Sequence, residues 1–439
     1  MIENYLEKTF YLDKDQEITL DLLKKFIDKH GILKNRYAEL YNMYTGFHNI
    51  LYLEKKPDFK PDNRLVFNYA KYIVDTFNGF FIGIPVKITH RDDRVSEVLK
   101  LFDAYNNTED MTAEISKLCS IYGHAYELLY LDENTQVGAC LIDPMECFLI
   151  RDNSITEDTL YGIRYQMVDD IISGSISDSN SIKYFESNDE GKLIFISEEP
   201  NYFGRVPIVE YVENEERQGA FESVETLINA YNKAMSEKAN DVDYFADSYM
   251  KILGARLDKE NLQEIKANRI INLAGGQADK VEVSFMEKPN ADETQEHLIN
   301  RLERQIFALS MVANITDENF GTSSGIALKY KLLSMSNLAI TKERKFQRGF
   351  SERYRILAGV PTSKINEDDI AGIEYKFTRN TPSNILEETQ IGLNLKSLVS
   401  DETILNNLSV VQDVKSEMER LEEENKPMVT YDDKRLEDE

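Results

Sequence analysis

The sequence has few cysteines and histidines and lacks long apolar runs. Three cysteines occur in 439 residues, none of them in a CxxC pair, and the odd count disfavours a disulfide framework. The five histidines are scattered, with no HExxH motif and no His/Cys cluster, so we expect no metal site and no cofactor. No stretch offers the roughly 18 charge-free apolar residues that a membrane span needs. These absences favour a protein of a reducing compartment with no membrane partner.

The most apolar segment, from Val66 to Ile88, contains Lys71, Asp75 and Lys87, which disfavour a membrane helix. The first twenty residues lack the basic start, apolar middle and small-residue cleavage site of a secretory signal. From the sequence we therefore expect a cytoplasmic protein.

Motifs for catalysis are also missing. The run GTSSG is shorter than the phosphate-binding loop GxxxxGK[ST]. Its letters fit the pattern GxSxG, but it follows a predicted helix rather than the strand that a nucleophile elbow requires, so it does not mark a nucleophilic serine. We therefore expect no catalytic residues. One alternative stays open: an acidic cytoplasmic enzyme that binds its substrate with the loop 317–325 and uses His124 as a general base.

Acidic residues outnumber basic ones, 78 to 51, for a formal net charge of −27. Proteins that grip DNA place lysine and arginine against its phosphates, so this balance disfavours tight binding to DNA. An acidic surface past which DNA moves without being held remains possible. The simpler explanation is that the negative charge favours solubility.

Hydrophobic periodicity predicts an α+β fold with alternating blocks. The first eighty residues show mainly helical spacing, and a helix fits residues 109–122, closed by Gly123. Residues 125–212 hold seven short β-type runs separated by turn residues, which predicts an antiparallel meander. Helical spacing returns in two long stripes, residues 222–250 and 293–316.

The two stripes flank a compact segment from about Leu253 to Pro289. We expect the stripes to pack as an antiparallel pair, with that segment at one end and the stretch TDENFGTSSGIA at the other. Asn, Asp, Gly and Ser favour turns, and Ser323 or Ser324 can cap the helix that starts near Ile326 and extends to Gly359.

That following helix has an unusual charge. From Lys329 to Arg355 there are eight bases and two acids, a net of +6 within a chain of −27. Two alternatives stay open: the bases form a solvated face that pairs with acidic neighbours, or the helix meets an acidic surface of an identical subunit. The candidate residues for a subunit interface are Lys329, Lys331, Lys342, Arg344, Lys345 and Arg348.

In their order, several stretches resemble the portal proteins of tailed bacteriophages, in the branch found in Gram-positive siphophages. The matching stretches are NRLVFNYAKYIVDTFNGFFIGIPVKI, IYGHAYELLYLDENTQ, FESVETLINAYNKAMSEKANDVDYFADSYMKILG, ENFGTSSGIALKYKLL and LVSDETILNNLSVVQDVKSEMERLEEEN. They spread from about Asn63 to Asn425. The joint order carries the resemblance, because no single stretch has a specific mechanism.

The resemblance implies a phage portal fold assembled as a ring, a dodecamer in this family, at one capsid vertex around a DNA channel. It implies the following regions: N-terminal helices and a β-rich wing (1–221), a helical stem (222–252 and 291–316), a small α/β clip (253–290), a tunnel loop (317–325), a long kinked helix with a wing strand (326–381), and a helical crown with an acidic tail (382–439). The acidic end has 19 acids and 9 bases from residue 361 onward.

The resemblance also implies a non-enzymatic conduit for packaging and ejecting viral DNA. The implied partners are further copies of the chain, the terminase large subunit, a head-completion or adaptor protein, the scaffold, the major capsid protein and double-stranded DNA passing through the channel. The residues implied for the DNA-facing tunnel loop are Asp317, Glu318, Asn319, Phe320, Gly321, Thr322, Ser323, Ser324 and Gly325, none of them basic. We expect Asp317 and Glu318 to face the lumen. The implied location is the virion vertex, after assembly in the host cytoplasm.

Overall fold

The computed structural model describes most of the chain. The described residues are 8–57, 60–246, 250–253, 282–285, 292–316, 325–381, 385–408, 410–411 and 414–424. Both helices and strands are present, as the sequence predicts for an α+β fold. Within the described ranges, no helix combines the length and the apolarity that crossing a membrane requires.

The helices are α1 (Leu20–Thr45), α2 (Tyr69–Ile82), α3 (Asp93–Asn106), α4 (Thr108–Tyr122), α5 (Glu225–Ala246), α6 (Asp292–Ser310), α7 (Gly325–Lys331), α8 (Leu333–Ala358), α9 (Glu367–Ile370), α10 (Ile385–Leu395), α11 (Asp401–Asn406) and α12 (Val414–Glu424). Short 3-10 turns cover Asn49–Tyr52, Glu222–Val224 and Pro361–Ser363. The strands are β1 (Phe10–Leu12), β2 (Lys87–Thr89), β3 (His124–Leu131), β4 (Val137–Ile142), β5 (Cys147–Asp152), β6 (Thr159–Val168), β7 (Ile171–Ser177), β8 (Ser181–Ser187), β9 (Leu193–Pro200), β10 (Ile208–Val212), β11 (Met250–Leu253), β12 (Glu282–Phe285) and β13 (Glu374–Lys376).

The β-rich block forms two sheets, and the prediction of one meander is correct only for its middle. Strands β5 to β9 pair antiparallel in sequence order, and β1 joins them parallel to β5, in a six-stranded sheet. The first and last runs of the block leave the meander, because β10 pairs with β3 and β3 with β4 in a separate three-stranded sheet. Alternation along a strand fixes which residues face inward but does not choose the neighbouring strand.

Helix ends follow local chemistry where a cap is present. Helix α4 ends at Gly123, whose φ of +90° lies in the left-handed region that glycine adopts without strain, as the sequence predicted. Helix α1 begins after Thr19, whose side chain accepts a hydrogen bond from the Leu22 amide.

Three predicted helices differ from the structure. Helix α6 ends at Ser310 rather than near residue 316, since Met311 takes a φ of +58°, which an α-helix does not allow. The helix predicted from Ile326 to Gly359 is divided at Leu332 into α7 and α8. The helix predicted over residues 222–250 begins as a 3-10 turn at Glu222–Val224, and its α-helical part, α5, ends at Ala246 before strand β11 begins at Met250.

Helix α8 lies at the centre of the main hydrophobic core. Its buried residues recur at steps of three and four, from Met335 through Ala339 and Phe346 to Phe350 and Tyr354. It packs against β10 and β3, and its aromatic rings contact those of α2 and β10. One face of this helix, which the sequence singled out for its basic residues, is therefore buried along most of its length, and the opposite face is exposed.

Helices α5 and α6 pack as an antiparallel pair, as the two stripes predict. Near the start of α6, the side-chain amide of Gln295 donates to Asp241 at 2.9 Å, and Glu296 pairs with Lys238. The body of α6 contacts the 3-10 turn at Glu222–Val224, before the start of α5. Residues 247–291 therefore leave one end of this pair, and residues 311 onward leave the other.

An extended segment over residues 63–67 is fastened along α5. The amides of Asn63, Leu65 and Phe67 donate to side chains of α5 at 2.6, 2.9 and 2.8 Å. The three acceptors are Asn240 Oδ1, Ser236 Oγ and Asn232 Oδ1. Four helical residues rise about 6 Å and two extended residues span about 6.6 Å, so the two series stay in register. We call this segment the strap.

Candidate functional site

The predicted tunnel loop lies almost wholly outside the described residues, which include only Gly325, the first residue of α7. Its flanks are described. On the leading side, the Ile315 amide donates to the Tyr72 hydroxyl of α2 at 2.8 Å, and Val312 is buried. On the following side, Leu332 is buried where α7 gives way to α8. Both flanks are thus fixed to the core.

Two cations of α8 are buried inside the subunit. Lys342 Nζ lies 2.6 Å from Glu213 Oε2 and donates to the Ser120 hydroxyl at 2.9 Å. Arg353 Nε lies 2.8 Å from Glu127 Oε2, and both of these side chains have an exposed fraction of 0%. The carboxylates that compensate these cations come from Glu127 of β3 and from Glu213, the residue after β10. The Tyr211 ring of β10 also lies against Arg353. Such paired charges let a charged helix enter the core.

The environment of these pairs shifts the pKa of their members. Burial raises the pKa of Glu213, and the nearby Lys342 ammonium acts in the opposite direction. Burial alone would lower the pKa of Arg353, but the charge and hydrogen bond of Glu127 together with the nearby Tyr211 and Tyr354 outweigh it and raise that pKa. The arginine therefore remains charged in the core.

The location of Lys342 does not fit the prediction that it meets another subunit. Its side chain is 1% exposed, and its ammonium contacts Glu213, Ser116, Ser120 and three phenylalanine rings of the same chain. A charge enclosed by its own subunit cannot contact a neighbour. Two of the eight bases, Lys342 and Arg353, instead pair with acids inside the subunit.

The other predicted interface residues lie nearer the surface. Arg344 and Arg348 are exposed on α8, and Lys329 and Lys331 are exposed on α7. Lys345 is half-buried and forms an ion pair with Glu215, which follows β10. These five positions remain candidates for contact with a neighbouring subunit.

A polar cleft of about 470 Å³ lies between the exposed face of α8, strand β10 and the β5–β6 turn. At its floor Glu210 accepts from Arg151 at 2.8 Å and from Arg217 at 2.7 Å. Burial opposes ionisation of Glu210, but the charge of Arg217 and the hydrogen bond from His124 lower its pKa well below the ordinary range. The buried carboxylate is therefore ionised and holds two guanidinium groups. Sequence analysis missed this cleft.

His124 is enclosed and cannot meet a substrate. Its Nδ1–H donates to Glu210 at 2.9 Å, and the Tyr37 hydroxyl donates to its Nε2 at 2.7 Å, the tautomer that an ionised Glu210 requires. It is 2% exposed, and burial lowers its pKa, so the ring is neutral. His124 thus has a structural role, and the enzyme alternative loses its proposed base.

A signal for the buried pairs was present in the sequence. Glu127 interrupts the apolar run HAYELLYL of β3, and a charged residue within a buried strand implies a partner of opposite charge. The sequence could not identify that partner, because Arg353 lies 226 positions further along the chain.

Comparison with known proteins gives a family and two relatives. The family model described as "Phage portal protein, SPP1 Gp6-like" matches residues 23–428. The portal protein of Clostridium phage phiCD119 is 22% identical over 445 aligned residues, covering 94% of this chain and 90% of that protein. The portal protein of Bacillus phage SPP1 is 23% identical over 446 aligned residues, covering 92% and 86% respectively.

Among solved structures, a chain in the neck of a native gene transfer agent particle aligns with a TM-score of 0.46 and 11% identity, covering 77% of this chain and 89% of that one. The enzyme alternative has no support among these relatives. The family model extends from α1 into the residues after α12. The chain therefore belongs to the SPP1 Gp6-like family of phage portal proteins, which are structural proteins that form the ring-shaped head-tail connector of the virion.

Proposed function

We propose that twelve copies of this chain close into a ring around a channel through which double-stranded DNA enters and leaves the capsid. In this proposal the terminase large subunit docks on the ring during packaging, and a head-completion or adaptor protein docks later. The scaffold and the major capsid protein contact the ring during assembly in the host cytoplasm. The chain itself carries out no catalysis.

The antiparallel pair of α5 and α6 is the observation that supports this proposal most. The chain continues from one end of this pair into residues 253–290 and from the other end into residues 317–325. One subunit can therefore place these two segments at different heights along the axis of a ring. We assign the first segment to the clip, where other proteins dock, and the second to the tunnel loop. Both lie mostly outside the described residues.

The remaining regions of the proposal follow the order of the chain. Residues 1–221 form the N-terminal helices and the wing, and residues 222–252 and 291–316 form the stem. Residues 326–381 supply the long kinked helix and a wing strand, which matches the division of α7 and α8 at Leu332 and the pairing of β13 with β2. Residues 382–439 form the crown and an acidic tail.

We propose that the tunnel loop lets DNA slide rather than holding it. The loop residues 317–325 include Asp317 and Glu318 and no base. Carboxylates repel phosphates weakly in open water and more strongly in a confined channel, where less water and salt screen the charges. Fixed flanks at Ile315 and Leu332 would keep the loop at a constant height.

Electron microscopy of the purified chain at high concentration tests the proposal directly. We expect particles viewed down their axis to show a ring of twelve subunits with a central hole wide enough for a DNA duplex. Cross-linking from residue 317 or 318 should then reach DNA threaded through the ring. A stable monomer or dimer, or a ring with both acids buried between subunits, would contradict it.

A further inference from the structure

Arg348 lines the polar cleft, and among the described residues it forms no ion pair, although its charge contributes to lowering the pKa of Glu215. Arg151 and Arg217 share Glu210, Lys345 pairs with Glu215, and Arg355 pairs with Glu352. Arg205, the sixth cation of the cleft, pairs with Glu367. Within the described part of the chain, no carboxylate lies in ion-pair range of Arg348, although its side chain is exposed beside these groups.

The cleft therefore favours an incoming carboxylate. Two guanidinium groups at its floor share a single buried acid. The whole lining holds six bases and five acids, so a small net positive charge remains in the cleft; the acids are Glu157, Asp158, Glu210, Glu215 and Glu352. A guanidinium binds a carboxylate through two parallel N–H groups, which gives direction as well as attraction. A volume of about 470 Å³ admits one or two side chains but excludes a DNA duplex.

An acidic counterpart lies at the opposite end of the same sheet. The β6–β7 turn consists of Asp169 and Asp170, both exposed, with φ of +50° and +64°. No basic group among the described residues forms an ion pair with either carboxylate. Exposed Val168 and Ile171 flank the turn, so it presents two carboxylates on an apolar base.

The separation of these features suits a closed ring. The cleft is lined by Thr156 to Thr159 at the start of β6, and the acidic turn follows its last residue. Nine steps of about 3.3 Å place the two about 30 Å apart along one strand. A head-to-tail interface joins two different patches of each subunit, whereas a patch that pairs with itself gives only a twofold dimer.

We propose that the acidic turn Asp169–Asp170 of one copy enters the cleft of the adjacent copy and pairs with Arg348. This contact rests on the proposed ring and names residues that hold it. It also explains how a subunit of formal charge −27 joins others of the same charge, because the contact pairs a local positive site with a local negative one.

Charge reversal with a matched control tests the contact. Arg348→Glu is expected to raise the protein concentration needed for half-assembly at least about tenfold, as measured by mass photometry. Lys100→Glu, at an exposed lysine of α3 outside the cleft and outside the predicted interface, should change it less than about twofold. Circular dichroism of both variants should match the wild-type spectrum, which shows that the subunit is folded.

Restoration identifies the partner segment. The double variant Asp169→Arg/Asp170→Arg should by itself weaken assembly. When it is combined with Arg348→Glu, the charges are opposite again and assembly should be restored. Equal assembly of Arg348→Glu and wild type overturns the contact and leaves the ring intact. If Arg348→Glu weakens assembly and the combined variant does not restore it, the acidic turn is not the partner. If only millimolar inorganic phosphate affects assembly, by inhibiting it, the cleft is instead a site for free anions. If the wild-type chain forms no ring, the proposed function itself fails.

Discussion

Arg353 of α8 and Glu127 of β3 form an ion pair within the core, with 2.8 Å between Nε and Oε2 and no exposure of either side chain. The Tyr211 hydroxyl of β10 donates to the same Oε2 at 2.7 Å. The arginine also lies over the Phe350 ring, 4.9 Å from its centre. One carboxylate thus joins the central helix to the inner strand β3 and the edge strand β10 of the three-stranded sheet.

Removing one member of this pair should be far more damaging than removing both. Arg353→Met leaves a buried charge without a partner, and we expect the free energy of unfolding to fall by about 3–5 kcal/mol. The double variant with Glu127→Leu should recover a large part of that loss. Urea denaturation measures both. Arg355→Met, at an exposed neighbour, should stay within about 0.5 kcal/mol of wild type.

The strap should depend on the three polar side chains of α5. Ser236→Ala removes the acceptor of the Leu65 amide, which lies at 2.9 Å, and we expect a loss of about 1–3 kcal/mol. Hydrogen exchange should show faster exchange of the Leu65 amide than in wild type. Lys233→Ala, at an exposed position of the same helix, is the control. Unchanged exchange at Leu65 would show that Ser236 does not hold the strap.

A buried histidine should make stability depend on pH. His30 donates from Nε2 to the Pro144 carbonyl at 2.9 Å and accepts at Nδ1 from the Tyr165 hydroxyl at 2.8 Å, so its ring is neutral. Burial lowers its pKa from 6.5 to about 3. Between these values the unfolded chain binds one more proton than the folded chain, so stability is lost as pH falls.

The measurement compares wild type with His30→Gln by denaturation from pH 7.5 to pH 4. The variant should be less stable at neutral pH, but its stability should fall less steeply below pH 6.5. The difference in slope should approach about 1.4 kcal/mol per pH unit, the value for one proton. Parallel curves would mean that His30 titrates normally in the folded protein.

Two helical glycines should respond in opposite directions to alanine. A Cβ on Gly349 of α8 would lie 2.5 Å from the Tyr211 ring, which Glu127 holds in place, so Gly349→Ala should lose about 1–3 kcal/mol. A Cβ on Gly31 of α1 meets nothing within 4 Å, so Gly31→Ala should gain about 0.5–1 kcal/mol. Thermal unfolding of the two variants checks the signs. Equal effects would show that the close approach to Tyr211 does not matter.

Much of the fold could be predicted where the cause is local. Periodicity identified α4 and the glycine that ends it, the two stripes that become α5 and α6, and the strands β5, β6, β8 and β9 of the meander. It missed β7, so the block has eight strands instead of the seven predicted. It misplaced the end of α6 because Met311 gives no sequence signal for its left-handed backbone. It also missed β1, a strand of three residues that forms by pairing with β5.

The candidate site was less accessible to sequence reasoning. The concentration of bases in α8 was visible, and so was the lack of bases in the loop 317–325. The sequence did not show which of these bases are buried and which are exposed, because Lys342 and Arg348 have similar neighbours in the sequence. The partner of Lys342, Glu213, lies more than 100 positions away in the chain, and no local pattern encodes such a distance.

The sequence by itself determined the α+β class, the order of helical and β-rich blocks and the family, since these depend on periodicity and on the joint order of recognisable stretches. Only the tertiary structure decided how the β-rich block divides into two sheets, which cations of α8 enter the core and where the polar cleft lies. The physical reason is that periodicity fixes the face that a residue presents, whereas its partner is chosen by long-range packing, in which a buried charge must meet its opposite.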